Sequence, residues 1–408
     1  MGVGLRLAAA AALAVLLPAG TAAAAPARTP DWAAPQIRTV VAHGLMGASS
    51  ASDFRPQSPV TRQVLADLAF GLGRLLTPPP VEPPPVPSPD ATGTDPAATD
   101  PAATDPTQTD PAATTPAETA PAETTPAPET VPPIEPPAVA NPDGPVSLAG
   151  LDARLVSQLG LSRAATEFAQ AARAAGIPVP WRFGTEVVAR LLGLRTNHPA
   201  PLDGIELLPN DPATRAEAAY SAAQILGFGW LGNGWQAAAA QSLADSFSLP
   251  ALDAWQRRIL TVAFSKVGMP YIWGGTSDRA EAPFGVRSRG GYDCSGFVWR
   301  VYKLQRYPGE RALASTLRGR TTYEMSVEVP PSQRIGFAKL QPADVIFFGD
   351  RGPRSTSAEV GHMGIYVGNG WFVHSSDHGV TLAPLTGWYR QSFAWGRRPL
   401  REAALDAG

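Results

Sequence analysis

The sequence predicts an α+β domain over residues 251–408, preceded by helical repeats and by a disordered segment. Within the α+β domain, a segment with the apolar spacing of a helix is followed by short apolar runs typical of strands. Half of the prolines of the chain, 22 of 44, lie in residues 77–146, where no aromatic residue occurs. A Pro-x-x-Pro-x-Thr-Arg motif occurs twice before the α+β domain, each time ahead of an apolar helical pattern. These observations divide the chain into segments at residues 1–25, 26–76, 77–146, 147–250 and 251–408.

The first 25 residues have the pattern of a secretory signal peptide. Arg6 precedes an apolar run from Leu7 to Leu17, and small residues up to Ala25 follow. The alternative is a buried N-terminal helix, but the run is too short to span a membrane and its end contains helix breakers. No later stretch approaches the ~18 apolar residues of a transmembrane helix. We therefore expect a secreted protein with no transmembrane segment.

The proline-rich segment 77–146 is predicted to be a disordered spacer. It carries no Lys or Arg and 11 acidic residues, and it contains the near-repeats TDPAATDPAATDPTQTDPAATT. A segment of this composition buries too little apolar surface to offset the entropy of ordering. The rest of the chain has 33 basic and 24 acidic residues, an excess that suits either acidic polymers or an ordinary solvated surface. No nucleic-acid-binding motif is present, and no nucleic-acid partner is expected.

Two segments that flank the spacer share a motif. They are FRPQSPVTRQVLADLAFGL at 54–72 and LLPNDPATRAEAAYSAAQIL at 207–226, and both continue into an apolar helical pattern. Thr61 and Thr214 are predicted N-caps, and Glu217 would complete a capping box with Thr214. Repeats of this kind stack helices that cannot bury their apolar faces alone.

These segments resemble S-layer homology repeats, in which an apolar helix precedes a Phe-x-Pro-x-x-Pro-x-Thr-Arg motif and a second helix. DWAAPQIRTVVAHGLMGA at 31–48 supplies the upstream helix of the first copy, and WRFGTEVVARLLGL at 181–194 is a weaker relative. The resemblance implies binding of cell-wall polysaccharide through the Thr-Arg pairs. In this chain the corresponding residues are Thr61, Arg62, Thr214 and Arg215. The alternative is a helical domain whose repeats serve only packing.

Cys294 is the only cysteine in the 408 residues. A single cysteine in an exported chain indicates a reactive thiol or an intermolecular disulfide, and the alternative is a buried inert residue. Cys294 lies in YDCSGFVWRVYK, in the first turn of a predicted helix, and the preceding Gly290–Gly291 pair allows a sharp entry. Backbone N–H groups and the helix dipole favour the thiolate at such a position. The placement favours a nucleophile.

Two histidines, His362 and His374, lie on the two arms of a predicted hairpin in GHMGIYVGNGWFVHSS. A base oriented by a third polar group is the arrangement that activates cysteine and serine nucleophiles. The alternative is a zinc site, because His374 and His378 are four residues apart. That spacing suits a helix, whereas this segment has the pattern of a strand and a turn. We therefore expect neither a metal nor another cofactor.

The register of this hairpin decides whether the two histidines share a face. Neighbours along a strand point to opposite faces, and opposed residues on paired strands point to the same face. A two-residue turn would place His374 opposite Ile365 and away from His362. A three-residue turn at 368–370, with its last glycine at positive φ, would place His374 opposite Gly364. We predict the three-residue turn, with both imidazoles facing the cysteine.

The stretches PYIWGG, YDCSGFV, LQPADVIFF and HMGIYVGNGWFVHSS follow one another in this order within residues 253–400. In that order they resemble the NlpC-type family of papain-like cell-wall peptidases. The resemblance implies a papain-like fold, in which a cysteine-bearing helix packs on a small antiparallel sheet. It also implies cleavage of peptidoglycan stem peptides, commonly after γ-linked D-glutamate. The implied roles are Cys294 as nucleophile, His362 as base, His374 as the residue orienting the base, and Tyr271 as a group near the oxyanion.

The chain departs from the family pattern between WGG and DCSG, where it is longer than usual. We expect residues 276–292 to form a loop beside the cleft that selects the substrate or covers the site. RTTYEM at 320–325 matches a familiar stretch of the family apart from Met325. The sequence thus predicts a wall-tethered endopeptidase acting on stem peptides. The alternatives are a non-catalytic wall-binding scaffold and an acyltransferase on the same fold.

Overall fold

The computed structural model describes residues 32–77 and 139–406. The predicted signal peptide and most of the predicted spacer lie outside these residues. The helical region contains α1 (Ala34–Ala42), α2 (Arg62–Leu76), α3 (Leu148–Gln158), α4 (Ser162–Ala174), α5 (Phe183–Leu191) and α6 (Arg215–Ser246). α6 is broken at Gly229, which has φ of 63°. No described helix is both long and apolar enough to cross a membrane.

The second region mixes short helices with antiparallel strands. Its helices are α7 (Ala254–Ser265), α8 (Cys294–Trp299), α9 (Leu313–Thr316), α10 (Thr322–Val327), α11 (Gly387–Ser392) and α12 (Pro399–Glu402). Its strands are β1 (Thr276–Ser277), β2 (Gly291–Tyr292), β3 (Val345–Gly349), β4 (Val360–Gly368), β5 (Trp371–Ser376), β6 (Gly379–Pro384) and β7 (Phe393–Arg397). Five strands form one antiparallel sheet in the order β6-β5-β4-β3-β7, and α8 packs against β4 and β5. The predicted α+β fold is confirmed.

Three short extended segments join the helical repeats in a closed triangle. They are residues 58–61, 144–147 and 211–214. The amide of Val60 donates to the carbonyl of Ala213, that of Ala213 to Val146, and that of Val146 to Val60, each over 2.8 to 2.9 Å. Each segment then enters a helix through a hydroxyl cap, supplied by Thr61, Ser147 and Thr214. The region therefore contains three equivalent copies of the turn.

The second copy of the repeat lies at residues 141–155, and the assignment of 181–194 as a weaker relative is wrong. α5, within 181–194, begins after Arg182 without a side-chain cap. In the second copy Ser147 replaces the threonine, and the buried Leu148 stands where the other copies have arginine. Residues 139–146, which the sequence assigns to the spacer, contain the backbone partners of this triangle.

The predicted capping box at α6 forms only in part. The Thr214 hydroxyl accepts the Glu217 amide at 3.2 Å, as expected. The Glu217 carboxylate turns away instead and pairs with Arg195 at 2.9 Å. Arg195 also pairs with the fully buried Asp152 at 2.9 Å, so a buried charge cluster links α3 and α6.

The helical region packs directly on the α+β region. The Arg190 guanidinium donates to the carbonyl of Gly268 at 2.9 Å, and the Asn197 side chain donates to that of Tyr271 at 2.8 Å. The ring of Phe183 stacks on that of Phe264, with 5.0 Å between centroids. The Asn197 amide also donates to the carbonyl of Asp377 at 2.7 Å, directly after β5, so this part of the helical region lies beside the strand that carries His374.

Candidate active site

Cys294 is the first residue of α8, as predicted. The Asp293 carboxylate caps the helix by accepting the Gly296 amide. Gly290 and Gly291 before it have φ of 132° and 150°, and a Cβ at Gly291 would overlap the side chain of Ile272. The chain therefore needs glycine to make this entry.

The thiol of Cys294 lies in a crowded, largely buried environment. Its sulfur is 3.4 Å from the Thr322 hydroxyl, and the backbone amides of Ser295 and Met363 act to lower its pKa. Burial and the neighbouring Asp293 carboxylate raise the pKa of the Cys294 thiol to about 11. The resting group is therefore a neutral thiol that needs a base, and the helix start alone does not ionise it.

The histidine hairpin has a two-residue turn, and the prediction of a three-residue turn is wrong. Asn369 and Gly370 form the turn, with φ of 47° and 78°, so the predicted positive φ of Gly370 is confirmed. Gly368 lies opposite Trp371, whereas Tyr366 already lies opposite Phe372. One extra residue on β4 thus forms a β-bulge, which shifts the register as a longer turn would have done.

The bulge brings the two histidines to one face, as predicted. His362 Nε2 and His374 Nδ1 are 2.9 Å apart. The β4–β5 register places His374 level with Gly364, where a Cβ would come within 3.0 Å of the His374 Cβ. A Cβ at Gly364 would also come within 2.8 Å of the Phe372 ring and of the Val373 carbonyl, so the paired strands need glycine at this position.

Both imidazoles are neutral near pH 7. Burial lowers the pKa of His362 to about 4 and lowers that of His374 well below its usual range. For His362 to accept a proton at Nδ1, its Nε2 must carry the hydrogen and donate to His374 Nδ1. Since Nε2 of His362 contacts His374, Nδ1 is the ring nitrogen of His362 that is not engaged by the second histidine.

Tyr271, Cys294 and His362 line one cavity of about 490 Å³. Burial, with the nearby thiol, raises the pKa of Tyr271 well above its usual value. The phenol therefore stays protonated and able to donate a hydrogen bond into this cavity. The metal alternative has no support in the ring contacts, since His374 bonds to His362 while His378 Nδ1 contacts the Arg195 carbonyl at 2.8 Å.

Arg320 is a cavity residue to which the sequence reasoning assigned no role. Its guanidinium donates to the Ser295 hydroxyl at 2.8 Å and to the Gly274 carbonyl at 2.8 Å, and it lies 3.3 Å from the Asp293 carboxylate. The sequence feature that could have identified Arg320 is the RTTYEM stretch, which begins at this residue. The arginine fixes the loop before α8 and brings a positive charge into the cavity that the thiol lines.

The long loop at 276–292 reaches the same cavity. Pro283 and Phe284 contribute to its lining, and the Phe284 ring packs against Gly274 while remaining 70% exposed. Arg289 of this loop pairs with Asp211 of the helical region at 3.2 Å. The loop therefore lies beside the cleft, as expected, and contacts both regions.

The predicted polysaccharide-binding residues occupy unequal environments. The Thr61 and Thr214 hydroxyls cap helices. The Arg215 guanidinium donates to the carbonyls of Phe54 and Met46 at 2.8 and 2.7 Å and lies over the Phe54 ring. Arg62 is exposed and lines a groove with Arg154. Of the two arginines only Arg62 is exposed, and its guanidinium makes one long contact, at 3.5 Å, with the Ala140 carbonyl.

A helix-borne thiol beside a hydrogen-bonded histidine pair is the arrangement of a cysteine nucleophile with its general base. Residues 268–398 match the model of the NlpC/P60 family, and residues 26–63 match that of the S-layer homology domain. The chain therefore carries an NlpC/P60 domain and an S-layer homology domain.

Several known proteins are similar to this chain over about a third of its length. The probable peptidoglycan endopeptidase LytE of Bacillus subtilis is 30% identical over 132 residues, which are 32% of this chain and 30% of LytE. The murein DD-endopeptidase MepH of Escherichia coli is 31% identical over 163 residues, 40% of this chain and 51% of MepH. The gamma-D-glutamyl-L-lysine dipeptidyl-peptidase of Bacillus cereus is 32% identical over 142 residues, 33% of each chain. The chain thus spans about half or less of these relatives.

Solved structures that match part of this chain include an NlpC/P60 family protein from Bacillus cereus. It is 26% identical, with a TM-score of 0.27, and the match covers 38% of this chain and 43% of that one. The peptidoglycan hydrolase RipB of Mycobacterium tuberculosis is 23% identical, with a TM-score of 0.27, over 35% of this chain and 64% of RipB.

Proposed function

We propose that this protein is a secreted cysteine endopeptidase that hydrolyses peptide bonds in the stem peptides of peptidoglycan. The observation that carries the proposal is the single cysteine at the start of α8, in one cavity with a base that a second histidine orients. The activities after which LytE, MepH and the dipeptidyl-peptidase are named support the same substrate class. The last of these favours the bond after γ-linked D-glutamate.

The first half of the reaction forms a thioester. His362 Nδ1 takes the proton of the Cys294 thiol as the sulfur attacks the carbonyl carbon of the substrate. Because the thiol is buried and neutral at rest, proton transfer and attack occur together. The Cys294 amide at the helix start and the Tyr271 hydroxyl donate to the oxygen that gains negative charge. The C–N bond then breaks, and the leaving amine takes the proton from His362.

The second half of the reaction hydrolyses the thioester. His362 removes a proton from water, the hydroxyl attacks the thioester carbon, and the thiol leaves with the proton from His362. His374 accepts the Nε2 hydrogen of His362 throughout, so it fixes the ring and its tautomer. Being neutral itself, it orients the base without adding a full charge.

The helical region would hold the enzyme at the cell wall. Its S-layer homology domain and the outward Arg62 beside Arg154 support binding of an anionic wall polysaccharide. The region also packs on the catalytic region through buried contacts such as that of Arg190 with Gly268. It is therefore part of the folded enzyme as well as its wall anchor.

The test is incubation of the full chain with purified peptidoglycan and identification of the released fragments by mass spectrometry. We expect new muropeptides that end at a stem-peptide bond, and none with Cys294→Ala as the matched control. Added amines that appear joined to the products would indicate acyl transfer in place of hydrolysis. Fragments that the Cys294→Ala protein releases equally well would rule out the thiol mechanism.

A further inference from the structure

The Cys294 sulfur has one side-chain hydrogen-bond partner among the described residues, and this partner is a hydroxyl. The Thr322 Oγ1 atom lies 3.4 Å from the sulfur. Thr322 also lines the cavity that Cys294 shares with Tyr271 and His362. The nucleophile therefore contacts a polar side chain that is not its base.

The start of α10 fixes Thr322 in this place. Thr322 is the first residue of the helix, directly after a complete capping box. In that box the Thr321 hydroxyl accepts the Glu324 amide at 3.2 Å, and the Glu324 carboxylate accepts the Thr321 amide at 2.9 Å. The helix packs against β4, the strand that carries His362. Because the backbone is held in this way and a β-branched side chain has few rotamers, the hydroxyl is positioned before the substrate binds.

The sulfur is the acceptor available to the Thr322 hydroxyl proton. The residue is only 8% exposed, and in the part of the chain that the structure describes its hydroxyl makes no hydrogen bond other than that with the sulfur. A buried hydroxyl that donates to no acceptor is costly. The O–H of Thr322 therefore points to the sulfur, which leaves the thiol hydrogen of Cys294 free to point to His362.

A donor in this position acts on the charge of the sulfur. The sulfur becomes negative when His362 removes its proton, and again when it leaves the acyl group as the thioester is hydrolysed. A donor that already points to the atom stabilises this charge without reorganisation. Burial and the Asp293 carboxylate raise the pKa of the Cys294 thiol, and the Thr322 hydroxyl acts to lower it. The hydroxyl thus offsets part of the cost of forming a thiolate in a buried site.

We propose that Thr322 is a further catalytic residue, whose hydroxyl donates a hydrogen bond to the Cys294 sulfur and stabilises its negative charge in both halves of the reaction. The inference rests on the proposed function for those two steps. The hydroxyl keeps its own proton throughout. The proton that moves is the one that His362 takes up and returns, so Thr322 acts by hydrogen bonding and not by proton transfer.

The test compares the full wild-type chain with four variants. Thr322→Val removes the hydroxyl and keeps the branched shape, Thr322→Ala removes it in a smaller side chain, and Thr322→Ser keeps it. Thr316→Val is the matched control, because the Thr316 hydroxyl donates to the Leu313 carbonyl at 2.8 Å within its own helix α9. Circular dichroism shows which variants are folded.

Two rates are measured for each folded variant. The first is the rate of muropeptide release from purified peptidoglycan at saturation. The second is the rate of alkylation by iodoacetamide at several pH values between neutrality and about pH 9. Because Cys294 is the only cysteine, the second rate reports on the sulfur whether or not the protein cleaves peptidoglycan.

We expect Thr322→Val and Thr322→Ala to release muropeptides about tenfold more slowly, as for the loss of a hydrogen bond to a charged group. Alkylation should slow by about threefold at each pH, because the thiolate becomes scarcer while each thiolate becomes more nucleophilic. Thr322→Ser should recover most of both rates, and Thr316→Val should leave both unchanged.

Wild-type rates of release and alkylation in either folded variant that lacks the hydroxyl would overturn this inference and leave the proposed function standing. Slower release with unchanged alkylation would also overturn it, since the hydroxyl would then act on something other than the sulfur. A wild type that releases no muropeptides would overturn the proposed function and the catalytic role of Thr322 with it, whereas the alkylation rates would still test the hydrogen bond to the sulfur.

Discussion

The two regions of the protein surround their buried ionisable groups differently. In the helical region three buried carboxylates lie against arginines: Asp152 and Glu217 against Arg195, and Glu186 against Arg190. Burial raises the pKa of these carboxylates, and the adjacent arginines oppose that shift. In the catalytic region the buried Cys294 and His374, and the half-buried His362 beside them, are neutral, because burial opposes their charged forms. Burial therefore has two consequences in this protein. Carboxylates that lie against arginines connect segments of the helical region, whereas the neutral thiol and imidazoles of the catalytic region remain able to transfer a proton.

The strongest test of this contrast is to break a buried pair. Arg195→Leu leaves Asp152 and Glu217 without their cation, and loss of one partner of a buried pair costs about 3–5 kcal/mol. We expect the free energy of unfolding, measured in urea, to fall by that amount. Arg163→Leu removes an exposed pair with Glu167 and should change it by about 1 kcal/mol or less.

Equal effects of the two substitutions would mean that the buried cluster contributes no more than a surface pair.

A further consequence concerns the catalytic region, since the Arg195 carbonyl contacts His378. Because the two regions are joined in this way, we expect Arg195→Leu to unfold them in a single transition.

The second test concerns the neutral side of the contrast. His374→Ala removes the acceptor for His362 Nε2, so the base loses its orientation and its tautomer. We expect kcat to fall about 10- to 100-fold, as for the loss of one strong hydrogen bond. His374→Gln, which can again accept the hydrogen, should recover part of the loss, while His43→Ala, at the exposed end of α1, should have no effect. Unchanged kcat in His374→Ala would remove His374 from the mechanism.

The sequence motifs predicted which residues form the site more accurately than they predicted the hairpin geometry that brings those residues together. The cysteine at a helix start and the histidines on adjacent strands follow from local patterns, and the structure places them in that way. The predicted turn length was wrong because strand register can shift at a bulge as well as at the turn. No residue in 366–368 indicates a bulge at the level of sequence. The prediction that His362 and His374 lie on one face of the sheet still holds, because the bulge shifts the register by one residue as the longer turn would have done.

The helical region was harder to predict because its equivalent turns meet across long separations in the chain. The second copy lacks both the threonine and the arginine of the motif, and only its place in the backbone triangle reveals it. The packing of the helical region on the catalytic region was likewise beyond local patterns, because it joins residues as far apart in the chain as Asn197 and Tyr271.

The third test concerns the protonation state of the thiol. Cys294 is the only cysteine, so alkylation by iodoacetamide reports on it alone. Because the pKa of the thiol is raised to about 11, the thiolate fraction grows about tenfold with each pH unit from neutral pH up to about pH 10. We expect the alkylation rate to keep rising from pH 7 to 10. A plateau near neutral pH would indicate a resting thiolate–imidazolium pair and would contradict the neutral resting state.

The smallest expected effect separates two arginines that occupy the same position of the repeat. Arg62 is exposed beside Arg154, whereas the Arg215 guanidinium donates hydrogen bonds to the carbonyls of Phe54 and Met46. An exposed charge contact contributes about 1 kcal/mol or less. Arg62→Ala should therefore reduce retention on isolated cell walls, measured by pelleting, by about two- to fivefold.

Arg215→Ala should act differently, because its guanidinium ties the first repeat to α6. We expect it to lower the midpoint of thermal unfolding while leaving retention unchanged at temperatures where the protein stays folded. Retention lost equally in both variants, with both still folded, would show that Arg215 reaches the polysaccharide despite its internal partners. Retention unchanged in Arg62→Ala would leave the repeats with a packing role, since Arg62 is the exposed arginine of the two motifs.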